Sequence, residues 1–287
     1  MPTFAAPDGT TLAYRIFGDG SPLVCLAGGP MRDSAYLGDL GGLSAHRMVI
    51  VPDLRGTGRS AVPSDVTSYR CDRLVGDVEA LRQHLGLTRM DLLGHSAGAN
   101  LAILHATRHP ERVGRLVLVT PSTRAVGLEA TATLREEVTR IRAAEPWYPA
   151  AAEALESMVA GWVSPEAWQA IAPFFYGRWD TAAQEHQAAE ACQRNEEAVQ
   201  TFGAEGAFDP SATRAALVSH PGPVLLLAGE VDLAAPPGLV AQLGELVPHA
   251  ELVVQPRAGH YPWLDDAEAF SATVAAFLAD PQPSGEA

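Results

Sequence analysis

The chain has 287 residues, 47% of them apolar, enough to bury the core of one large α/β domain or of one domain carrying an insertion. A formal net charge of −14 opposes binding to nucleic acid or to an anionic membrane, because both repel a polyanion. The N-terminal stretch has no basic start ahead of a long apolar run, and Cys25, Cys71 and Cys192 lie far apart with no CxxC pair. We therefore expect no signal peptide, membrane span, disulfide framework or zinc knuckle, and a reducing cytoplasm as the location. All 20 basic residues are arginine, which with the alanine-rich runs reads as the coding bias of a GC-rich bacterial genome.

Thr11 to Phe17 alternates in polarity as a half-buried strand does, and Gly18-Asp19-Gly20 turns the chain. Leu23 to Ala27 and Met48 to Val51 are short apolar runs of the kind carried by buried parallel strands. Leu74, Val75, Val78, Leu81 and Leu85 recur at spacings of three and four, predicting a helix that Gly86 stops. A strand at Asp91 to Leu93, a helix from Ala97 to His109 closed by Pro110, and a strand at Leu116 to Val119 follow. This alternation implies an α/β fold with a mostly parallel, doubly wound sheet and helices on both faces.

From about Ser122 to Leu217 the pattern is helix after helix. Ser164-Pro165 and Asp209-Pro210 each set an N-cap residue before a proline at the first helical position. Strand signals resume at Val224 to Ala228 and Leu252 to Val254, each followed by a helix, the last being Ala267 to Leu278. The expected organisation is a core at 1–121 and 215–280, a helical cap at 122–214 inserted after about the sixth strand, and a frayed tail at 281–287.

Gly94-His95-Ser96-Ala97-Gly98 sits at a strand-to-helix junction. A G-x-S-x-G there makes a turn so sharp that the serine hydroxyl projects above the sheet. The glycines are required because strand and helix approach too closely for larger side chains. The backbone N–H of Ala97 then points to where an oxyanion would form. Asp232 follows the strand ending at Ala228, and His260 follows the last strand, so both lie at the sheet edge where active sites assemble. The order Ser, Asp, His suits Ser96 as nucleophile, His260 as base and Asp232 as the acid that orients it. His95 is expected to pack, because residues adjacent along a strand point to opposite sides. His105 and His109 lie one helical turn apart, but no third ligand stands at metal-site spacing, so no metal and no cofactor are expected.

At these residues the chain resembles the α/β-hydrolase superfamily, and in its loops the proline iminopeptidase branch. Asp53-Leu54-Arg55-Gly56-Thr57-Gly58-Arg59-Ser60 matches that branch's D-x-R-G-x-G-x-S loop, and Ala27-Gly28-Gly29-Pro30 is similar to its H-G-G-P oxyanion loop. The resemblance implies an α/β-hydrolase fold whose second oxyanion donor is the N–H of Gly29, with Gly28 the other choice. Asp53 and Arg55 are expected to form an ion pair or turn supporting that loop. Two departures stand out: Ala27 replaces the branch's histidine, and the elbow reads GHSAG rather than GGSWG.

Between Thr123 and Thr213 lie 10 of the chain's 19 aromatic residues, among them Trp162, Trp168 and Phe175, together with 14 Asp or Glu against 6 Arg. The aromatics suit either a roof over the nucleophile for a hydrophobic substrate or simply the core of a small cap. The expected partner is a small-molecule substrate, with the oligomeric state left open. Ester hydrolysis through an acyl-enzyme is the first expectation. Removal of an N-terminal residue, with cap carboxylates holding the free amine, is the second. A transferase or cyclase on the same scaffold is the third.

Overall fold

The computed structural model describes residues 1–279, so the 281–287 tail lies outside the described residues. The seven segments read as strands form, and a short strand at the N-terminus, which the sequence did not announce, makes eight in one sheet: β1 (Thr3–Ala5), β2 (Thr11–Phe17), β3 (Pro22–Leu26), β4 (Met48–Pro52), β5 (Met90–His95), β6 (Val113–Val119), β7 (Val224–Gly229) and β8 (Ala250–Gln255). Their spatial order is β1-β2-β4-β3-β5-β6-β7-β8. The β1–β2 and β2–β4 pairs are antiparallel, and all pairs from β4 to β8 are parallel.

Successive side chains of a strand leave opposite faces, and each face here has its own core. Val24, Leu26, Ile50, Leu92, Leu116 and Leu226 join one cluster. Their chain neighbours Leu23, Cys25, Val49, Leu93, Val117 and Leu225 join the other. Helices α1 (Cys71–His84) and α2 (Ala97–Arg108) cover the first face with Leu74, Val78, Leu101 and Leu104. The C-terminal helix (Ala267–Ala279) covers the second with Phe270, Val274 and Phe277. Each such Leu, Val or Phe contributes roughly 1.5–3 kcal/mol when fully buried.

Six further helices lie between β6 and β7: α3 (Ala132–Arg140), α4 (Tyr148–Val159), α5 (Pro165–Ile171), α6 (Thr181–Gln193), α7 (Glu196–Phe202) and α8 (Pro210–Val218). Both predicted caps form: Ser164 Oγ accepts from Ala167 N–H at 3.2 Å, and Asp209 Oδ1 accepts from Ala212 N–H at 3.0 Å. Val138, Ala151, Ile171 and Phe174 make a small core of their own, closed by Leu233 from the loop after β7. Helix α8 runs across the 214/215 boundary expected from the sequence, with Leu217 reaching into the main core.

Strand order reverses at β3, since β4 lies on one side of it and β5 on the other. Leu26 pairs with Gly94, so the loops leaving β3 and β5 emerge side by side at this switch point. That is the crevice in which open α/β sheets assemble ligand sites.

Candidate active site

The sharp turn after β5 holds Ser96 at φ 52° and ψ −122°, a backbone region costly for a residue with a Cβ. The flanking glycines make the turn possible. A Cβ on Gly94 would lie 2.7 Å from the Gly98 carbonyl oxygen, and one on Gly98 would lie 2.4 Å from that of Leu26. Helix α2 therefore packs directly on β3 and β5, and the hydroxyl of Ser96 stands above the sheet edge.

His260 leaves β8, three strands away from β5, which at about 4.8 Å per strand is some 14 Å of lateral distance. The segment from Arg257 to Tyr261 crosses that gap, and its backbone is held at both ends of one residue. The N–H of His260 donates to the Phe175 carbonyl at 2.7 Å. Its carbonyl accepts from Thr120 Oγ1 at 2.9 Å, just beyond the end of β6. The ring then reaches Ser96, with Nε2 2.8 Å from Oγ, while Nδ1 lies 2.8 Å from Asp232 Oδ2.

Asp232 is fully buried, and its other oxygen accepts the N–H of Ala234 at 2.8 Å. A carboxylate so placed fixes the proton on Nδ1, leaving Nε2 as the acceptor facing the serine. The arrangement can move a proton from Ser96 Oγ to His260 Nε2 without moving either backbone. The structure thus brings together the three residues singled out by the sequence.

The loop Ala27-Gly28-Gly29-Pro30 also has a defined polarity. The N–H of Gly28 is already used, donating to Tyr36 Oη at 2.7 Å. The N–H groups of Gly29 and Ala97 donate to no acceptor among the described residues. Gly28 backs closely on the elbow, since a Cβ there would lie 2.7 Å from that of Ser96. With Ala27 in the place of the branch's histidine, the brace on this loop is Tyr36, from the 3₁₀ turn Ser34–Leu37.

The loop is also tied to the segment between β6 and β7. Arg32 pairs with Arg194 in an isolated antiparallel bridge, Asp33 N–H donates to the Gln193 carbonyl at 2.7 Å, and Asn195 N–H to that of Met31 at 3.2 Å. The buried Arg32 guanidinium lies 4.5 Å from the Tyr36 ring centroid and donates to Gln193 and to the His186 carbonyl.

Several expectations are corrected. Asp53 and Arg55 do not pair with each other. Asp53 meets Arg15 at 2.6 Å and accepts from Ser34 Oγ at 2.5 Å, whereas Arg55 is bidentate on Asp77 and also reaches Asp8 at 2.7 Å. The two side chains leave opposite sides of the loop, so only Asp53 supports the 34–37 turn that follows the Ala27–Pro30 loop. His95 is buried and stays off the serine, but it is not merely packed, since both ring nitrogens are hydrogen-bonded. The aromatics divide rather than form one roof. Trp162 and Trp168 are 78% and 53% exposed, Trp147 and Tyr148 pack on Phe174, and Phe175 sets its ring against His260 at 6.3 Å. The His105 and His109 rings lie 5.2 Å apart, tilted by 45°, and the described residues hold no cluster of three metal-ligating groups.

Thr120, Tyr36 and Asp265 carry no motif signal. Asp265 accepts the N–H groups of Gly259, Gly177 and Arg178 at 2.8, 3.0 and 3.2 Å. Its carboxyl is pushed above the usual range by burial, against those three donors.

Residues 23–273 match the alpha/beta hydrolase family. Among curated relatives, a proline iminopeptidase of Heyndrickxia coagulans is 36% identical over 104 residues, so the chain matches only 36% of that protein's length. A proline iminopeptidase of Levilactobacillus brevis is 28% identical over 93% of this chain and 92% of its own. Among solved structures, a Mycobacterium smegmatis proline iminopeptidase superposes with a TM-score of 0.75 at 24% identity, over 96% of this chain and 97% of its own. An esterase from Exiguobacterium antarcticum gives 0.72 at 20% identity, over 97% and 99%. No helix among the described residues is long and apolar enough to cross a membrane. By the family match, the strand order and the elbow between β5 and α2, the chain belongs to the alpha/beta hydrolase family, and its loops resemble those of the proline iminopeptidase branch.

Proposed function

We propose that the protein hydrolyses carboxylic esters of small hydrophobic acids through an acyl-enzyme on Ser96. His260 takes the serine proton as Oγ attacks the carbonyl carbon, and Asp232 stabilises the imidazolium that results. The N–H groups of Gly29 and Ala97 receive the developing oxyanion, each worth about 3–4 kcal/mol in the transition state. His260 returns the proton to the leaving alcohol, and water then releases the acid by the same steps. The observation that carries the reading is the unbroken pair of 2.8 Å contacts from Ser96 through His260 to the buried Asp232.

A second reading, release of an N-terminal residue from a peptide, has the sequence relatives in its favour. It requires a carboxylate free to hold the protonated amine. In the segment between β6 and β7 every Asp and Glu is exposed except Glu145 and Glu190. Glu145 meets Arg142 at 3.3 Å, and Glu190 meets Arg194 at 3.1 Å and lies 3.9 Å from Arg32. Both of these half-buried charges are already answered, so the amine would have to be held by an exposed carboxylate in water, an ion pair worth only about 0–1 kcal/mol, which favours the ester.

The deciding measurement compares p-nitrophenyl butyrate with prolyl- and alanyl-nitroanilides and their N-acetyl forms. We expect kcat/KM to be highest on the ester. Faster cleavage of a free-amine anilide, lost at least tenfold on acetylation (about 1.4 kcal/mol), overturns the preference.

A further inference from the structure

A chain of hydrogen bonds runs underneath the nucleophile from the oxyanion loop to the catalytic histidine's own backbone. Tyr36 Oη accepts the N–H of Gly28 at 2.7 Å and lies 2.6 Å from His95 Nδ1. His95 Nε2 lies 2.9 Å from the carbonyl oxygen of His260. Every member is buried.

The protons can be assigned by elimination. A carbonyl cannot donate, so the Nε2–His260 contact requires the hydrogen on Nε2. Nδ1 is then the acceptor, and the phenol hydrogen of Tyr36 goes to it. The reverse tautomer sets two lone pairs face to face at Nε2 and leaves the phenol hydrogen with nowhere to go. Burial keeps both groups in these forms, pushing the Tyr36 phenol up and the His95 imidazole well down, the latter helped by nearby His260.

We infer that Tyr36 and His95 are positioning residues that set the oxyanion loop and the base His260 in register with each other. The inference rests on the assignment above of Gly29 and Ala97 as oxyanion donors. The physical case is that Gly29 N–H must meet an oxyanion within a few tenths of an ångström. Gly29, at φ 114°, sits in a backbone region that its own sequence does not fix. Its predecessor Gly28 is held at its carbonyl by the Arg32 N–H at 3.2 Å and at its N–H by the Tyr36 hydroxyl, the one of these two bonds that links it to His95. That hydroxyl is oriented by His95, and His95 shares with Thr120 the carbonyl of the residue that carries the base. A displacement at either end passes to the other through short, fully satisfied contacts in a close-packed interior.

Tyr36→Phe removes one oxygen and keeps the ring packed against Trp263 and Tyr261. The probes are a fluorophosphonate, in which Ser96 Oγ adds to phosphorus and fluoride leaves while negative charge grows on the phosphoryl oxygen, and butylboronic acid, whose tetrahedral anionic adduct with Ser96 mimics the ester intermediate at equilibrium. We expect Tyr36→Phe to lower kcat on p-nitrophenyl butyrate about tenfold with KM within about twofold, since only a transition-state contact is disturbed. The boronate Ki should rise and the inactivation rate should fall by similar factors. His95→Leu should do the same, and the double variant should cost no more than the worse single one, because both break one chain.

Unchanged kcat, Ki and inactivation rate in a folded Tyr36→Phe protein overturn the inference, as do losses that simply add in the double variant. If Tyr36→Phe does not fold, His95→Gln, which keeps an N–H for the His260 carbonyl, must retain more activity than His95→Leu; equal activity overturns the inference. The two levels of argument fail separately. Absence of fluorophosphonate labelling at Ser96 in the unaltered protein overturns the functional reading itself, whereas labelling at the same rate in Tyr36→Phe overturns only the positioning role.

Discussion

The backbone N–H of His260 donates to the carbonyl of Phe175 at 2.7 Å, so the residue carrying the imidazole is anchored to the helical segment between β6 and β7. Around this contact Leu233 N–H reaches the Phe174 carbonyl at 3.4 Å, and Arg142 donates to the Tyr176 carbonyl at 2.7 Å. Gly259 is needed because a Cβ there would lie 2.6 Å from the Phe175 carbonyl oxygen. The loops bearing Asp232 and His260 are thus seated on a short stretch, Phe174 to Tyr176, whose sequence shows only aromatic residues.

Asp265 secures the same junction from outside. Asp265→Ala strips the acceptor from three backbone N–H groups. At about 1–3 kcal/mol per unsatisfied buried donor, and with Arg178 exposed, we expect a loss of about 3 kcal/mol. Urea unfolding followed by circular dichroism measures it, and a loss below about 1 kcal/mol contradicts the anchoring role.

Ser96→Ala is expected to lower kcat by on the order of 10⁴-fold or more, since in the proposed mechanism Ser96, His260 and Asp232 act as one unit. Stability separates this from damage to the fold. Because Ser96 holds φ 52° and ψ −122°, Ser96→Gly should be more stable than Ser96→Ala by about 1 kcal/mol, as glycine adopts that backbone without strain. Thermal unfolding of the two inactive variants compares them directly, and equal Tm values refute the claim of strain.

The exposed tryptophans and Phe175 should behave differently. Trp162→Ala and Trp168→Ala remove side chains that are 78% and 53% exposed, so kcat/KM on p-nitrophenyl butyrate should stay within about twofold of the unaltered protein. Phe175→Ala deletes the ring against His260 and should lower kcat/KM on butyrate more than on acetate. Steady-state kinetics on the two esters tests this. A large loss at Trp162 or Trp168 restores the roof that the sequence suggested.

Stability should fall as the pH drops below neutrality. Burial is the main cause holding His105 down to about 4, with His109 adding repulsion, and holding His186 down to about 3, with Arg32 adding to it. His95 lies well below its ordinary value for the same first reason. Between these folded values and the ordinary 6.5, each imidazole is neutral in the fold and protonated when the chain unfolds. Unfolding therefore takes up protons in that window, so stability rises with pH through it and is lost on acidification. Each such histidine contributes a slope of about 1.4 kcal/mol per pH unit. Urea midpoints at pH 7, 6 and 5 give the total slope, and His105→Gln should flatten it by one histidine's share. An unchanged slope in that variant excludes His105 from the effect.

Residues in local patterns were legible without coordinates. The G-x-S-x-G turn, the strand-end positions of Asp232 and His260, and the N-caps at Ser164 and Asp209 each follow from chemistry within a few residues of chain. The apolar runs likewise announce buried strands, because each face of a covered parallel sheet needs apolar side chains. What tertiary structure decided are contacts between segments far apart in the chain, for which no local signal exists. Arg55 chooses Asp77 over its near neighbour Asp53 because the loop turns their side chains apart. Tyr36 takes the Gly28 N–H only because the 34–37 turn folds back beneath the Ala27–Pro30 loop. The Phe175 carbonyl meets His260 only because the helical segment returns to the end of the sheet. A backbone carbonyl carries no residue type, so its role in fixing His260 cannot be read from sequence and emerges only when the chain is folded.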